Sequence, residues 1–170
     1  MTIIYAAATA PVNPPGASPV INLKQLWAAL ELKAREPQLF LAVIDTCEVL
    51  EDDGHRVLRE VKFSGGVGMA PIIGPKVQEV VTHMAPLTDD AGSGVETFKP
   101  IGNASKVLNI VSTGPEGELF LTFTFEWEHD EIQEGSDEAV KKQKQYQDTA
   151  PKGVVGMINA TRRMVKRGKL

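Results

Sequence analysis

The chain has 170 residues, 42% of them hydrophobic, which is enough to bury the core of one domain spanning residues 1–170. Its net charge is −4, and no basic stripe precedes the last ten residues, so we expect no nucleic-acid partner. A single cysteine excludes an internal disulfide and a cysteine-based metal site. No segment approaches the roughly 18 to 20 apolar residues that cross a bilayer, and we expect a cytoplasmic protein. The closing Gly-Lys-Leu leaves peroxisomal targeting open, because Gly168 replaces the serine of that signal.

The first elements are a strand, a loop and a helix. Residues 2–9 predict a strand, and the four prolines within residues 10–20 predict a proline-rich loop. Asn22 and Gln25 have the spacing of a capping box, which predicts that a helix begins there. An apolar stripe at helical spacing follows, and Pro37 ends the helix before a short second turn.

Residues 42–128 predict six further strands separated by turn-forming clusters. Asp-Asp-Gly at residues 52–54 indicates a hairpin, and residues 64–74 are a glycine-rich connection. The last strand alternates most clearly, with one face formed by Leu119, Leu121, Phe123, Phe125 and Trp127. Consecutive strands joined by short turns predict an antiparallel sheet.

A long helix closes the chain. Ser136 is a suitable N-cap, whereas Pro151 and Gly153 predict a kink or an interruption. The second half carries an apolar stripe that includes Met157 and Thr161. Basic residues gather at its end, where cations favour the helix dipole, so we interpret them as a helix terminus rather than a binding patch. Because the sheet must bury one face, this helix should cover it and leave a cavity between them.

Two charged residues interrupt the apolar faces of neighbouring strands. Arg59 alternates with Val57 and Val61, and Glu79 lies between Val77 and Val81. Because an isolated buried charge is costly, we predict that the two side chains meet in the interior. One interpretation is an ion pair that only orders the sheet. The other is a ligand site, in which the arginine binds a carboxylate, enolate or carbonyl oxygen and the glutamate accepts a hydrogen bond or acts as a general base.

Other candidates for the same cavity are weaker. Asn109 could add a polar contact, although its orientation is ambiguous because Leu108 and Ile110 lie on the other face of its strand. His83 could move a proton, but its position near a strand end favours exposure. The predicted apolar wall, which could equally be plain core, comprises Phe123, Phe125, Trp127, Met157 and Thr161.

Several patterns argue against other chemistries. Residues 64–68 superficially match a phosphate loop, but no helix follows and no Gly-Lys-Ser/Thr is present. Cys47 has no histidine at a recognisable spacing, which favours an inert thiol. His129 lies in an acidic stretch that predicts a solvated strand end, and the histidines lack metal-ligand spacing. We therefore expect neither a metal nor a cofactor.

The order of elements resembles the helix-grip fold of the START and birch-pollen-allergen superfamily. More specifically, five segments are similar to the AtaL-like family, named after a protein of a fungal gene cluster: INLKQLW, VLREVKF, VQEVV, NIVSTGPEGELFLTFTFEWEH and MINATRRMVKRG. The resemblance covers roughly residues 20–168. It implies an α+β fold, in which a curved antiparallel sheet of about seven strands wraps around a long C-terminal helix and encloses a hydrophobic ligand pocket.

The resemblance does not supply an agreed catalytic motif. The wider superfamily binds lipids, sterols, plant hormones and polyketides, and some members are cyclases or dehydratases. The first hypothesis is a protein that binds a hydrophobic small molecule in fungal-type secondary metabolism. The alternative is a cofactor-independent cyclase, isomerase or dehydratase that uses Arg59 and Glu79 on a polyketide- or peptide-derived intermediate. An interaction domain with a filled pocket and a homodimer both remain open.

Overall fold

The computed structural model describes residues 1–64 and 76–170, in which seven strands form one antiparallel sheet. Two α-helices and a short 3₁₀ helix at Pro37–Leu39 accompany the sheet. The helices are α1, Leu23–Arg35, and α2, Asp137–Lys166. The strands are β1, Thr2–Pro11; β2, Ile44–Asp52; β3, Arg56–Phe63; β4, Lys76–Met84; β5, Gly94–Pro100; β6, Lys106–Thr113; and β7, Leu119–His129. Their order is β1-β7-β6-β5-β4-β3-β2, which confirms the predicted helix-grip fold.

The start of α1 matches its prediction. The Asn22 side chain accepts a hydrogen bond from the Gln25 amide, and the Gln25 side chain accepts one from the Asn22 amide. This capping box satisfies two N–H groups that the first helical turn leaves without intrahelical partners. The helix ends at Arg35, and Pro37 begins the predicted short turn.

The structure differs from two predictions at the ends of the chain, namely the end of the first strand and the possible interruption of the last helix. The first strand extends through Pro11, two residues further than predicted; β1 is an edge strand, and the end of such a strand tolerates proline. The closing helix is not interrupted at Pro151 or Gly153, because α2 continues across both residues to Lys166. The Ser136 cap is confirmed, since its side chain accepts a hydrogen bond from the Ala139 amide.

The inner face of the sheet, meaning the face that α1 and α2 cover, consists of rows of cross-strand neighbours. One row is apolar and joins Phe125, Val107, Phe98, Val81 and Val57 on five adjacent strands. A second row places Asn109, Glu96 and His83 side by side on β6, β5 and β4. Because directly opposed residues share a face, this register sets the arrangement of the candidate site.

The buried core has two parts. The larger part packs α2 and the beginning of α1 against β1 and β7. The smaller comprises Ala34 near the end of α1 with Val57, Val81 and Phe98. Val107 packs against both parts yet is only partly buried, although its neighbours Phe98 and Phe125 point inward. The inner face is therefore not completely sealed around Val107.

A close helix–sheet contact fixes α1 over β5. A Cβ atom at Gly94 would lie 2.5 Å from the Trp27 ring and 2.8 Å from Pro86. Only glycine leaves room for the indole at this place. The ring also lies edge-on to His83, with 6.2 Å between the ring centroids.

A polar contact joins the end of β7 to α2. His129 is 2% exposed, so the prediction of a solvated strand end is wrong. Its Nε2 lies 2.9 Å from the Tyr146 hydroxyl and its Nδ1 lies 3.0 Å from Glu131. Burial raises the pKa of Tyr146 to about 12. Because the Glu131 carboxylate can only accept, a neutral imidazole donates to it from Nδ1 and accepts from the Tyr146 hydroxyl at Nε2. The rings of His129 and Tyr146 also stack, with 5.9 Å between their centroids, so this contact holds α2 against the end of β7.

Candidate functional site

Arg59 and Glu79 meet directly in the interior. They are opposed residues of β3 and β4, and Nε and Nη2 of the arginine donate to Glu79 Oε1 at 3.0 and 2.7 Å. Arg59 is 3% exposed, and the Glu79 side chain is 12% exposed. The predicted pairing of Arg59 and Glu79 is therefore present. The register of β3 and β4, which the sequence did not determine, places the two residues directly opposite each other.

The remaining donors of the arginine are directed at the backbone of α1. Nη1 of Arg59 donates to the carbonyl oxygens of Lys33 and Ala34 at 2.9 and 2.7 Å. Carbonyl groups in the last turn of a helix lack intrahelical partners, and a cation there also favours the helix dipole. Most of the guanidinium is thus engaged by protein groups, which supports the interpretation that this ion pair orders the fold.

A second polar cluster lies on the same face, in the row formed by β6, β5 and β4. Glu96 is 0% exposed and lies between Asn109, at 1%, and His83, at 3%. Asn109 Nδ2 donates to Glu96 Oε2 at 2.7 Å, and His83 Nε2 lies 3.2 Å from Glu96 Oε1. The expectation that His83 is exposed is therefore wrong, and the ambiguous Asn109 points inward.

Lys33 of α1 joins the two polar clusters. Its Nζ lies 3.4 Å from Glu96 Oε2 and faces the rings of Phe98 and Phe123, at 4.5 and 5.1 Å from their centroids. Its backbone carbonyl accepts from Arg59. The two clusters together form a buried polar network of six residues: Lys33, Arg59, Glu79, His83, Glu96 and Asn109.

The charges within the network balance. Burial raises the pKa of Glu96, but the Lys33 charge and the hydrogen bonds from His83 and Asn109 outweigh it, and the pKa lies below its ordinary value. Burial lowers the pKa of Lys33, and the charge of Glu96 only partly offsets that effect. Glu96 is therefore ionised at neutral pH, with a cation beside it whose charged form is less favoured than that of a surface lysine.

Some buried polar atoms have no hydrogen-bond partner in the part of the chain that the structure describes. They are His83 Nδ1, Asn109 Oδ1 and Trp127 Nε1. Because ionised Glu96 accepts from His83 Nε2 and from the Asn109 amide nitrogen, the unpaired atoms of these two residues are acceptors when the imidazole is neutral. Buried polar atoms normally have partners, so these two acceptors and one indole donor mark polar positions at which a ligand could form hydrogen bonds.

An aromatic wall on β7 lies next to part of this polar row, because Phe123 is directly opposite Asn109. Phe125 stacks on Trp127 at 5.9 Å and meets Phe123 edge-on at 6.3 Å. Each of the three keeps 6 to 8% of its surface accessible, whereas Leu121 on the same strand face is 0% exposed. The predicted wall residues Met157 and Thr161 are buried as well, and the Thr161 hydroxyl donates to the Met157 carbonyl. That hydroxyl therefore has a partner within its own helix.

The comparison with known proteins decides the family. The family model described as "Acetylaranotin biosynthesis cluster protein L" (AtaL) matches residues 6–168. The chain belongs to the AtaL family. A curated relative of that name from Aspergillus terreus (strain NIH 2624 / FGSC A1156) is 24% identical over 166 residues, which cover 96% of this chain and 91% of the relative.

Solved structures place the AtaL chain in the wider fold group. Human STARD10 aligns with a TM-score of 0.66 at 10% identity, over 97% of this chain and 66% of that one. Ara h 8.0201 aligns with a TM-score of 0.53 at 12% identity, over 98% of this chain and 99% of that one. These likenesses confirm the helix-grip fold that the order of elements suggested.

Two members of the network in this AtaL chain were missed by sequence reasoning. Lys33 lies three residues after Leu30 and seven after Leu26, within the apolar stripe of α1, and this position was the available signal. Glu96 lies between Gly94 and Phe98 on one strand face, in the pattern that drew attention to Arg59. The signal for both was a charge at an apolar position.

Three further sequence interpretations concern other chemistries. Within residues 1–64 and 76–170, no group of three or more His, Cys, Asp or Glu side chains could hold a metal ion. Cys47 is partly buried, and burial raises the pKa of its thiol, which supports the inert interpretation. The glycine-rich segment 64–68 lies outside the described residues apart from Ser64.

None of the helices described is long and apolar enough to cross a membrane.

Proposed function

We propose that this AtaL-family chain binds a hydrophobic small molecule between the inner face of the sheet and the two helices. The supporting observations are three buried polar atoms without a partner among the described residues, His83 Nδ1, Asn109 Oδ1 and Trp127 Nε1, and the aromatic rings of β7, which keep accessible surface and lie opposite Asn109 at Phe123. A ligand with an apolar body and a hydroxyl or amide end could contact the aromatic rings with its body and form hydrogen bonds to the polar atoms with its end. The network would hold the polar end, and Phe123, Phe125 and Trp127 would contact the body.

The predicted roles of Arg59 and Glu79 change in this proposal. Because the guanidinium already donates to Glu79 and to two helix carbonyls, Arg59 positions α1 over the site. We assign the polar end of the ligand to His83, Asn109 and Lys33 instead. Met157 and Thr161 support the wall from α2.

The biological setting is inferred from the relative. The name of the Aspergillus terreus protein assigns that protein to an acetylaranotin biosynthesis cluster. We propose that this chain likewise acts in cytoplasmic secondary metabolism, on a different or related hydrophobic metabolite. A homodimer remains a prediction.

Binding is tested with 1-naphthalenemethanol, an uncharged aromatic alcohol, by isothermal titration calorimetry. Val107→Trp places a large ring where the inner face is incompletely sealed, so we expect at least a roughly tenfold loss of affinity, about 1.4 kcal/mol. Leu108→Trp is the matched control, because Leu108 lies on the outer face of the same strand. Equal affinities for both variants, or no binding to the wild type, would contradict the proposal.

A second function, proton-transfer catalysis, is favoured by one specific contact. When the imidazole is neutral, Nε2 of His83 donates to the ionised Glu96, and Nδ1, which has no partner among the described residues, carries a lone pair on the inner face. A carboxylate that orients an imidazole in this way is a common arrangement for a general base. A cofactor-independent isomerase or cyclase would therefore use His83 as the base, with Glu96 as its orienting group.

Enzyme and carrier are separated by His83→Gln. Glutamine retains hydrogen bonding but cannot act as a general base, so an enzyme would lose roughly 100-fold or more of its rate while affinity changes only a few-fold. The measurement is turnover of candidate metabolites from neighbouring biosynthetic genes, followed by mass spectrometry. A carrier would return every such metabolite unchanged with both the wild type and the variant.

A further inference from the structure

We propose that Lys33 forms a covalent iminium with the carbonyl carbon of an aldehyde or ketone ligand, with Glu96 as its counter-ion and proton shuttle. This inference rests on the proposed function, because the carbonyl compound must enter the same inner-face site. It narrows the ligand class from hydrophobic molecules with a polar end to hydrophobic carbonyl compounds.

The position of the amine carries the inference. The Lys33 side chain is 7% exposed and that of Glu96 is 0% exposed, so the two charges are enclosed while the lysine side chain still keeps some accessible surface. Their separation of 3.4 Å exceeds the roughly 2.7 to 2.9 Å of a strong charge-assisted hydrogen bond. The amine is therefore paired but loosely held.

The surroundings suit a carbonyl ligand with an apolar body. The rings of Phe98 and Phe123 lie 4.5 and 5.1 Å from Nζ and would flank a planar group joined to it. Both rings keep 6% of their surface accessible. Burial also lowers the pKa of Lys33, which increases the neutral fraction that can attack a carbonyl carbon.

The reaction balances within the network. The Lys33 ammonium passes one proton to Glu96 Oε2, and the neutral amine attacks the carbonyl carbon, so that a C–N bond forms and the C=O π bond breaks. The resulting alkoxide takes up the second of the nitrogen's protons, which gives a neutral carbinolamine. Glu96 then returns its proton to the hydroxyl group, which leaves as water, and the C=N bond forms. Overall, ammonium and carbonyl give iminium and water.

The product keeps the charge balance of the site. An iminium carries one positive charge and one N–H, so it replaces the ammonium opposite Glu96 without leaving a buried carboxylate unpaired. The other charged pair facing this region, Arg59 and Glu79, is unchanged. His83 and Asn109 continue to hold Glu96 through their hydrogen bonds. Covalent capture therefore needs no compensating charge.

The experiment uses 1-naphthaldehyde with sodium cyanoborohydride on the full chain. Intact-mass spectrometry should show one reduced adduct, and peptide mapping should place it on Lys33. Lys33→Met should lose this adduct, whereas Lys24→Met should retain it, because Lys24 lies on the same helix in an exposed ion pair with Asp89. Glu96→Gln should slow trapping roughly 100-fold, since it removes the proton shuttle.

The matched alcohol, 1-naphthalenemethanol, separates the two proposals because it binds without a carbonyl. If the alcohol binds but no adduct maps to Lys33, the iminium is overturned and the binding function stands. If the alcohol does not bind, the binding function fails, and an adduct spread evenly over surface lysines overturns the iminium as well. Peptide mapping of the wild type decides the matter even where Lys33→Met does not fold.

Discussion

Arg59 and Glu79 face each other across β3 and β4, and the same arginine holds the carboxyl end of α1 through two backbone carbonyls. One side chain thus fixes the distance between a helix and the sheet beneath it. Lys33 belongs to the last turns of that helix, so its position over Phe98 depends on Arg59. The ion pair predicted from the sequence supports the site rather than forming its contact with a ligand.

Arg59→Met should destabilise the fold by about 3 to 5 kcal/mol, because it leaves the partly buried Glu79 without this partner and two helix carbonyls without a donor. Urea unfolding followed by circular dichroism gives the free energy of unfolding. Arg56→Met is the control on the same strand, since Arg56 forms an exposed pair with Glu51 and should cost less than about 1 kcal/mol. Similar losses for the two variants would refute the bridging role.

Gly94→Ala should destabilise the protein by about 1 to 3 kcal/mol, because the new methyl group would overlap the Trp27 ring. The displaced indole should also change the near-ultraviolet circular dichroism. Gly156→Ala in α2 is the control with the opposite sign: nothing lies within 4 Å of its Cβ position, and alanine favours a helix by up to about 1 kcal/mol. An unchanged thermal midpoint for Gly94→Ala would show that the contact is not tight.

Much of the fold could be predicted from local patterns. The Asn22–Gln25 cap and the alternation in β7 depend on residues close in sequence, and the structure confirms both. The sequence predicted a kink or an interruption at Pro151, and α2 is not interrupted there, because propensity gives the cost of a proline but not the packing of neighbouring Ala150 and Val154 that offsets it. Local sequence patterns therefore predict where helices and strands occur better than whether a helix continues across a proline.

Most of the candidate site could not be predicted, because it consists of contacts between residues far apart in the sequence. Lys33 and Glu96 are 63 positions apart, and only the register of β4, β5 and β6 places His83 and Asn109 on either side of Glu96. Arg59 and Glu79 were identified because each sits between valines of its own strand. His83 was misplaced because a position near a strand end says nothing about the helix that covers it.

The acid stability of the protein should depend on Glu96. Its pKa in the folded state is lowered from 4.5, so its ionised form contributes stability that is complete above pH 4.5 and lost as the pH falls through the folded value. Glu96→Gln should remove that part of the pH dependence between pH 7 and pH 3, as measured by the urea midpoint. Glu60→Gln is the control: hydrogen bonds from Lys76 and Gln78 also lower the pKa of Glu60, but this carboxylate is only half-buried and solvent screens its pairing, so the variant should keep most of the wild-type slope. Parallel curves for wild type and Glu96→Gln would contradict the assignment.

The most direct test of the account is the indole resonance of Trp127. The chain has two tryptophans, and a nitrogen-15 spectrum resolves their N–H signals, which Trp127→Phe assigns. During titration with 1-naphthalenemethanol, we expect the Trp127 signal to shift and saturate at the affinity found by calorimetry, and Val107→Trp to abolish that shift. Saturable binding that leaves the Trp127 signal unchanged, as would occur in the groove of about 370 Å³ between residues 10–17 and α2, would contradict an inner-face site.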